Sequence, residues 1–169
     1  MRTDFDAKIF KDVMGSFPTG VAVVTAIHDG APVGFTCQSF VSLSLEPPLV
    51  SLSPAKTSTT WPRIRASGTF CVNVLEEAQA ALCTAFARSG GDKFTGLDWQ
   101  PGTSGAPLLA GAAAWIECQL ETAHEAGDHE VAIGRVLSLA RGRGRPLVFC
   151  ESRFVALTPL VSSADAVRD

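Results

Sequence analysis

The chain has no tyrosine among its 169 residues, so aromatic contacts to any ligand fall to its ten phenylalanines and three tryptophans. No apolar run approaches the roughly 20 residues needed to span a bilayer as a helix. Met1-Arg2-Thr3-Asp4-Phe5-Asp6 lacks an apolar h-region, so no secretory signal is expected. Neither sign of charge dominates: 14 Lys and Arg against 17 Asp and Glu leave a net charge of −3, with no electrostatic reason to expect nucleic acid. Closely spaced cysteines are also missing. Cys37, Cys71, Cys83, Cys118 and Cys150 are odd in number and far apart, which argues against a disulfide framework or a zinc site. Four of them lie in apolar runs, as small hydrophobes do, and a reducing cytoplasm is the expected compartment. There is no internal repeat, low-complexity segment or linker.

What is present describes one globular domain. The hydrophobic fraction is 46% and the charged fraction 18%, enough for a sizeable core. So large an apolar share in a short chain also predicts that a second copy covers some of it, giving a homodimer. Phe5, Ile9, Phe10, Val13, Met14 and Phe17 recur at helical spacing and predict an amphipathic helix over Thr3–Phe17, capped by Thr3 with Asp6 and ended by Pro18 and Gly20. The pattern then turns to β: Val21–His28, a hairpin at Asp29-Gly30, Pro32–Phe40, Leu49–Ser53 and Thr69–Leu75. Short helices are predicted at Ser58–Ala66, with Pro62 in the first turn, and at Glu76–Arg88. Asp98–Pro107 reads as a loop. Ala112–Ala123, Glu130–Ala140 and Pro146–Leu157 read as three further strands, the last two joined by a turn at Arg141-Gly142-Arg143-Gly144-Arg145. The tail after Pro159 is small and polar and is expected to fray. Six or seven strands with inserted helices suggest a closed or partly open antiparallel barrel.

Three segments carry the chemistry. Gly34-Phe35-Thr36-Cys37-Gln38-Ser39-Phe40 supplies hydroxyls and free amides before the strand that contains Leu49 and Val50. Ser51-Leu52-Ser53 leads to Lys56-Thr57-Ser58-Thr59-Thr60, four hydroxyls and a lysine at a predicted helix start, a pattern suited to an anion and equally to a plain Ser/Thr cap. Gly127-Asp128-His129 precedes the β run Val131-Ala132-Ile133-Gly134. His28, in the Asp29-Gly30 hairpin, and His124 read as solvated residues. Arg141, Arg143 and Arg145 read as a solvated hairpin tip.

Together with Phe17-Pro18-Thr19-Gly20-Val21-Ala22-Val23-Val24-Thr25, these segments resemble the flavin reductase-like family over about residues 10–157. The resemblance implies a mainly β fold, an antiparallel, Greek-key-like FMN-binding split β-barrel with a few short flanking helices. It implies a flavin site formed by Thr36, Cys37, Gln38 and Ser39 at the ring and ribityl chain, and by Ser51, Leu52, Ser53, Ser58, Thr59 and Thr60 toward the phosphate. Lys93, in Asp92-Lys93-Phe94, matches a further motif and is a candidate phosphate contact. Cys37 is expected to pack beside the flavin, not to act in redox chemistry. His129 is expected to position nicotinamide from a loop free to cover the open flavin face. The implied activity is an NAD(P)H-dependent flavin reductase that passes a hydride from NADH or NADPH to FMN or FAD and supplies a partner monooxygenase. A non-catalytic FMN- or haem-binding split-barrel protein and a pyridoxamine-phosphate-oxidase-like oxidase share the fold and stay open at this point.

Overall fold

Strand β2 (Ala22–His28) sets the architecture of the chain, seen in a computed structural model that describes residues 6–159. An antiparallel strand with one wet face would alternate buried and exposed positions. Here every residue from Val21 to Ala26 is buried. Ala22, Val24 and Ala26 enter one apolar cluster with Trp61, Ile64 and Phe70, while Val21 and Val23 enter a second with Leu75, Phe86 and Leu147. The sheet through β2 is therefore covered on both faces, which explains an unbroken apolar run in an antiparallel protein.

That sheet has seven strands, in the order β3 (Ala31–Cys37), β2, β6 (Thr69–Val74), β9 (Ala114–Ala126), β10 (His129–Arg141), β5 (Pro48–Leu52), β4 (Val41–Leu45). All its pairings are antiparallel, and the two long strands β9 and β10 form a hairpin with register shifts at Ile133/Gly134 and Val136/Ser138. A three-stranded sheet joins β1 (Thr19–Gly20), β11 (Val148–Cys150) and β12 (Arg153–Val155), and a small hairpin joins β7 (Trp99–Pro101) to β8 (Pro107–Leu109). This is an antiparallel split β-barrel. Its helices are α1 (Ala7–Gly15), α2 (Trp61–Ser67) and α3 (Ala80–Ala87). Among the described residues, no helix is long and apolar enough to cross a membrane.

The strands at Val21–His28, Thr69–Leu75 and after Ala112, and both inner helices, fall within a few residues of expectation. α1 begins after Asp6, whose carboxylate accepts from the Ile9 N–H at 2.8 Å. Thr3, Phe5 and the tail after Pro159 lie outside the described residues. The predicted helix at Glu76–Arg88 starts as a 3-10 turn closed by a Glu76/Gln79 capping box, and α-geometry begins only at Ala80. Asp98–Pro107 is not a plain loop, because Trp99–Pro101 pairs with Pro107–Leu109. Pro146–Leu157 is not one strand. It folds back at Glu151 and Ser152, both with positive φ, so that Phe149 meets Phe154 edge-on at 5.4 Å. At the basic turn, Arg145 is bound to Glu77 at 3.0 Å, so one of the three arginines is paired rather than merely solvated.

Two buried polar groups tie the small hairpin to the barrel. Asn73 donates to the carbonyls of Val23 and Pro107 and to Thr25 Oγ1, and it accepts from the Leu109 N–H at 2.8 Å. Glu117, 4% exposed, accepts four hydrogen bonds of 2.7–3.2 Å from the N–H and hydroxyl groups of Thr103 and Ser104. Glycine is required at 102, since a Cβ there would overlap the Glu117 carboxylate. Burial pushes the Glu117 carboxyl upward, but its four donors outweigh burial and hold it below its ordinary value of 4.5. A depressed folded-state pKa contributes stability that is complete above the unfolded value and lost as pH falls through the folded one. Glu117→Gln is therefore expected to cost about 1–3 kcal/mol at neutral pH in urea unfolding. The gap from wild type should narrow below about pH 4, and a gap independent of pH would show that the ionised form is not what Thr103 and Ser104 bind.

Candidate functional site

A cleft of about 290 Å3 opens where the end of β3, the segment 53–60 and the segment after α3 converge. Phe35 and Thr36 form its back; Ser53, Pro54, Ala55, Thr57, Ser58, Thr59 and Thr60 form one wall; Phe86, Ala87, Arg88, Ser89 and Lys93 form the other; His129 stands at the rim. The second wall is set by α3 lying close on β3. Gly34 allows this, since a Cβ there would come within 2.8 Å of Phe86. The Thr36 hydroxyl then donates to the Cys83 carbonyl at 2.6 Å, tying the two elements together. Lys93 Nζ donates to the carbonyls of Gly34 at 3.3 Å and Phe86 at 3.2 Å, and lies 5.8 Å from the centre of the Phe86 ring. Burial pushes the Lys93 ammonium below its usual range.

The structure brings Thr36, Ser53, Ser58, Thr59, Thr60, Lys93 and His129 together on this cleft. It places the other predicted residues around it. Leu52 is fully buried in the core and Ser51 is paired to Val41 and Ile133 within the sheet. Cys37 is buried, and burial pushes its thiol up, so it packs as a protonated thiol. Gln38 is exposed. Ser39 works on the backbone: its hydroxyl accepts from the Ser53 N–H at 2.8 Å and donates to the Ser53 carbonyl at 3.3 Å. Ser58 is a helix-entry residue, with Oγ accepting from the N–H groups of Thr60 and Trp61 at 3.3 and 3.0 Å. Its own O–H remains to donate.

Gly127 and Asp128 form the two-residue turn between β9 and β10, so they do not make a loop free to swing over the cleft. Lys56 N–H donates to the Asp128 carbonyl at 2.9 Å, Glu130 N–H donates to the Pro54 carbonyl at 3.0 Å, and Ala55 bridges to His129. His129 is thus fixed beside the 53–60 wall. Its Nδ1 lies 2.8 Å from Asp128 Oδ1, an acceptor, which assigns the Nδ1 proton and leaves Nε2 as the free ring nitrogen. That hydrogen bond holds the Asp128 carboxyl below its usual range.

The chemistry of the cleft suits a phosphorylated ligand. Among the described residues, the hydroxyls of Thr57, Thr59 and Thr60 have no hydrogen-bond partner in the protein, and Arg88 and Lys93 have no carboxylate partner. Uncompensated donors and cations in an anionic protein fit a phosphate. A larger groove of about 470 Å3 around Trp115 carries the Glu117 carboxylate and no cation, so size does not decide the site. Thr57, Arg88 and Ser89 were not singled out individually in the sequence. Arg88 sits where the predicted helix ended, and only the turn at Ser89-Gly90-Gly91 that brings it back toward Lys93 reveals it.

A split barrel with a hydroxyl- and cation-lined cleft is suited to holding a small anionic ligand. Residues 14–158 match the flavin reductase like domain, and the chain belongs to that family. It is a flavin reductase. It is 50% identical over 155 residues to the reductase subunit HsaB of a flavin-dependent monooxygenase from Rhodococcus jostii, covering 91% of this chain and 80% of that protein. The crystal structure of a nitrilotriacetate monooxygenase component B homologue from Mycobacterium thermoresistibile superposes with a TM-score of 0.90 at 42% identity, covering 96% of this chain and 92% of the other. The NADH:FAD oxidoreductase SgcE6 of Streptomyces globisporus, solved with NAD and FAD fragments, gives 0.88 at 38% identity, covering 96% and 99%.

The two roles of the 57–60 segment separate by mutation. Ser58→Ala is expected to destabilise the fold by about 1 kcal/mol through loss of the helix entry. Thr59→Val should leave stability within about 0.5 kcal/mol. It should weaken FMN several-fold more than riboflavin, which lacks the phosphate. Equal loss of both flavins in a titration would move the phosphate away from this segment.

Proposed function

We propose that this protein transfers a hydride from NADH or NADPH to FMN or FAD in the cleft between 53–60 and 86–93, and hands the reduced flavin to a partner monooxygenase. The single observation that carries the site assignment is that hydroxyls with no partner in the protein and two cations with no carboxylate partner line that one cleft. Thr57, Ser58, Thr59 and Thr60, with Lys93, would hold the flavin phosphate. The amides and carbonyls near Ser53, Pro54 and Ala55 would meet the polar ring edge, and Phe35 and Phe86 supply apolar wall. The flavin supplies the hydride-accepting chemistry when bound, so the protein's tasks are binding, orientation and exclusion of water. His129, fixed by Asp128 and by the backbone pairing to Ala55, offers Nε2 to the nicotinamide. Alignment of that kind contributes about 10²-fold to a transfer rate when 1 Å of misplacement is at stake. The names of the relatives, reductase subunits and components of monooxygenases, support delivery of reduced flavin to an oxygenase. Five free thiols, four of them buried, fit a reducing cytoplasm.

The same reading includes a homodimer. β4 is bulged between Ser42 and Ser44, and Val41, Leu43 and Leu45 are all exposed on it, Leu45 by 90% at the edge of the seven-stranded sheet. Ile9, Val13, Met14 and Phe17 of the N-terminal segment are exposed as well. Apolar edges of this kind are covered in solution or they aggregate.

The purified protein is expected to oxidise NADH or NADPH only when a flavin is present. His129→Ala should lower the rate up to about 10²-fold or raise the nicotinamide KM, with flavin affinity kept. His129→Asn should recover part of the activity. Failure of both nucleotides to reduce FMN, FAD or riboflavin would overturn the catalytic reading. In light scattering, wild type should run as a dimer and the double variant Leu43→Glu with Leu45→Glu as a monomer; a monomeric wild type would refute the covered edge.

A further inference from the structure

The segment between β5 and α2 is a strap with two fixed ends. Its near end is held by backbone: the Glu130 N–H donates to the Pro54 carbonyl at 3.0 Å, the Lys56 N–H donates to the Asp128 carbonyl at 2.9 Å, and Ala55 bridges to His129. Its far end is Trp61, the first residue of α2 and 3% exposed. Trp61 Nε1 donates to Glu130 Oε2 at 2.6 Å, and Arg65 Nη1, one turn further, donates to Glu130 Oε1 at 3.0 Å. Between the two ends, among the described residues, the hydrogen bonds of residues 57–60 run only to Ala55 and within the segment and α2. The Thr60 side chain does not cap the helix it precedes.

One residue therefore holds both ends. Glu130 binds Pro54 with its backbone and Trp61 with its side chain, and it is covalently joined to His129. Pleating sends adjacent side chains of a strand to opposite faces. His129 reaches the rim of the cleft, while the Glu130 carboxylate runs beneath α2, its side chain 16% exposed. The two contacts of that carboxylate differ in weight. The Arg65 side chain is 52% exposed, so its ion pair contributes little. The Trp61 indole is buried, and leaving its N–H without an acceptor would carry the full cost of an unsatisfied donor. Trp61 is thereby bound to follow the Glu130 oxygen. A shift of that oxygen moves the start of α2 and, through the Trp61 N–H bonded to Ser58 Oγ at 3.0 Å, the hydroxyls of residues 57–60.

We propose that Glu130 is a positioning residue for hydride transfer: it fixes the hydroxyl segment, and with it the flavin phosphate, at one spacing from the neighbouring His129. The proposal rests on the flavin and nicotinamide reading of the cleft. FMN and riboflavin are titrated by fluorescence into wild type, Glu130→Leu, Glu130→Gln and Trp61→Phe. Reduction of each bound flavin by saturating NADH or NADPH is then followed in single turnovers without oxygen. Leucine offers the indole no acceptor, whereas glutamine keeps a carbonyl oxygen in its place. Glu130→Leu should weaken FMN about tenfold and riboflavin less than about twofold, because riboflavin has no phosphate for residues 57–60 to hold. Reduction of its bound FMN should slow about tenfold, as a displacement of under about 1 Å would produce. Glu130→Gln should recover most of both losses. Trp61→Phe keeps an aromatic ring in the core, guarding against a Glu130→Leu chain that fails to fold, and should show the same two losses at about threefold or more. In a His129→Ala background, Glu130→Leu should slow FMN reduction less than about twofold, since residues that act as one unit are not additive. Three results overturn the proposal: FMN and riboflavin weakened equally, which marks a general loosening of the fold; rate losses of Glu130→Leu and His129→Ala that multiply; or Trp61→Phe with wild-type FMN affinity and rate. A wild type that binds flavin but reduces none of it removes the hydride-transfer reading itself, and so is distinguishable from failure of the Glu130 role alone.

Discussion

The seating of Phe86 on Gly34 is the constraint on which the site depends. It lets α3 approach β3 closely enough for Thr36 to donate to the Cys83 carbonyl and for Lys93 to reach the carbonyls of both Gly34 and Phe86. Phe86 is 1% exposed and meets Phe94 edge-on at 5.1 Å, so its ring is held from several sides. A single methyl at Gly34 would press on that ring, and overpacking of this kind costs about 1–3 kcal/mol. The larger consequence would be geometric. Moving α3 outward widens the cleft and shifts Lys93, Arg88 and Ser89 together.

The opposite wall is held by backbone, not by side-chain packing. Pro54, Ala55 and Lys56 are joined to the β9–β10 turn by two hydrogen bonds and a β-bridge, and Ser39 clamps Ser53 from below. Trp61 Nε1 and Arg65 both donate to Glu130, fixing α2 to β10 just after the hydroxyl segment. The hydroxyls of Thr57, Thr59 and Thr60 are thereby presented from a fixed frame, as preorganised binding requires. The electrostatics follow the same division. The protein is anionic overall, yet its cleft collects Arg88 and Lys93, two cations with no carboxylate partner among the described residues.

Much of this was legible in the sequence, and the misses have definite causes. β-branched runs and the Asp29-Gly30 turn located the central strands, because those strands are buried on both faces and their composition is unambiguous. Ser58, Thr59, Thr60, Lys93 and His129 were singled out from motif order, and the fold brings all five to one cleft. Val41–Leu45 was missed as a strand although Val41, Leu43 and Leu45 alternate with Ser42 and Ser44; it is a short edge strand, bulged between Ser42 and Ser44. Trp99–Pro101 and Pro107–Leu109 were hidden by the Gly and Ser between them. Leu52 could not be separated from Ser51 and Ser53 without knowing which way the strand faces, because pleating sends alternate side chains to opposite sides. Arg88 carried no local signal; only the folded chain sets it beside Ser89 and Lys93 on the cleft.

The central claim is that flavin lies between 53–60 and 86–93, not in the larger groove beside Trp115. Hydrogen exchange with and without FMN tests it directly, because ligand contact slows amide opening where it binds. Protection should appear over residues 53–60, 87–93 and 128–130, with residues 99–104 and 138–140 unchanged. Protection confined to 99–104 and 138–140 would place the ligand in the Trp115 groove and contradict the account.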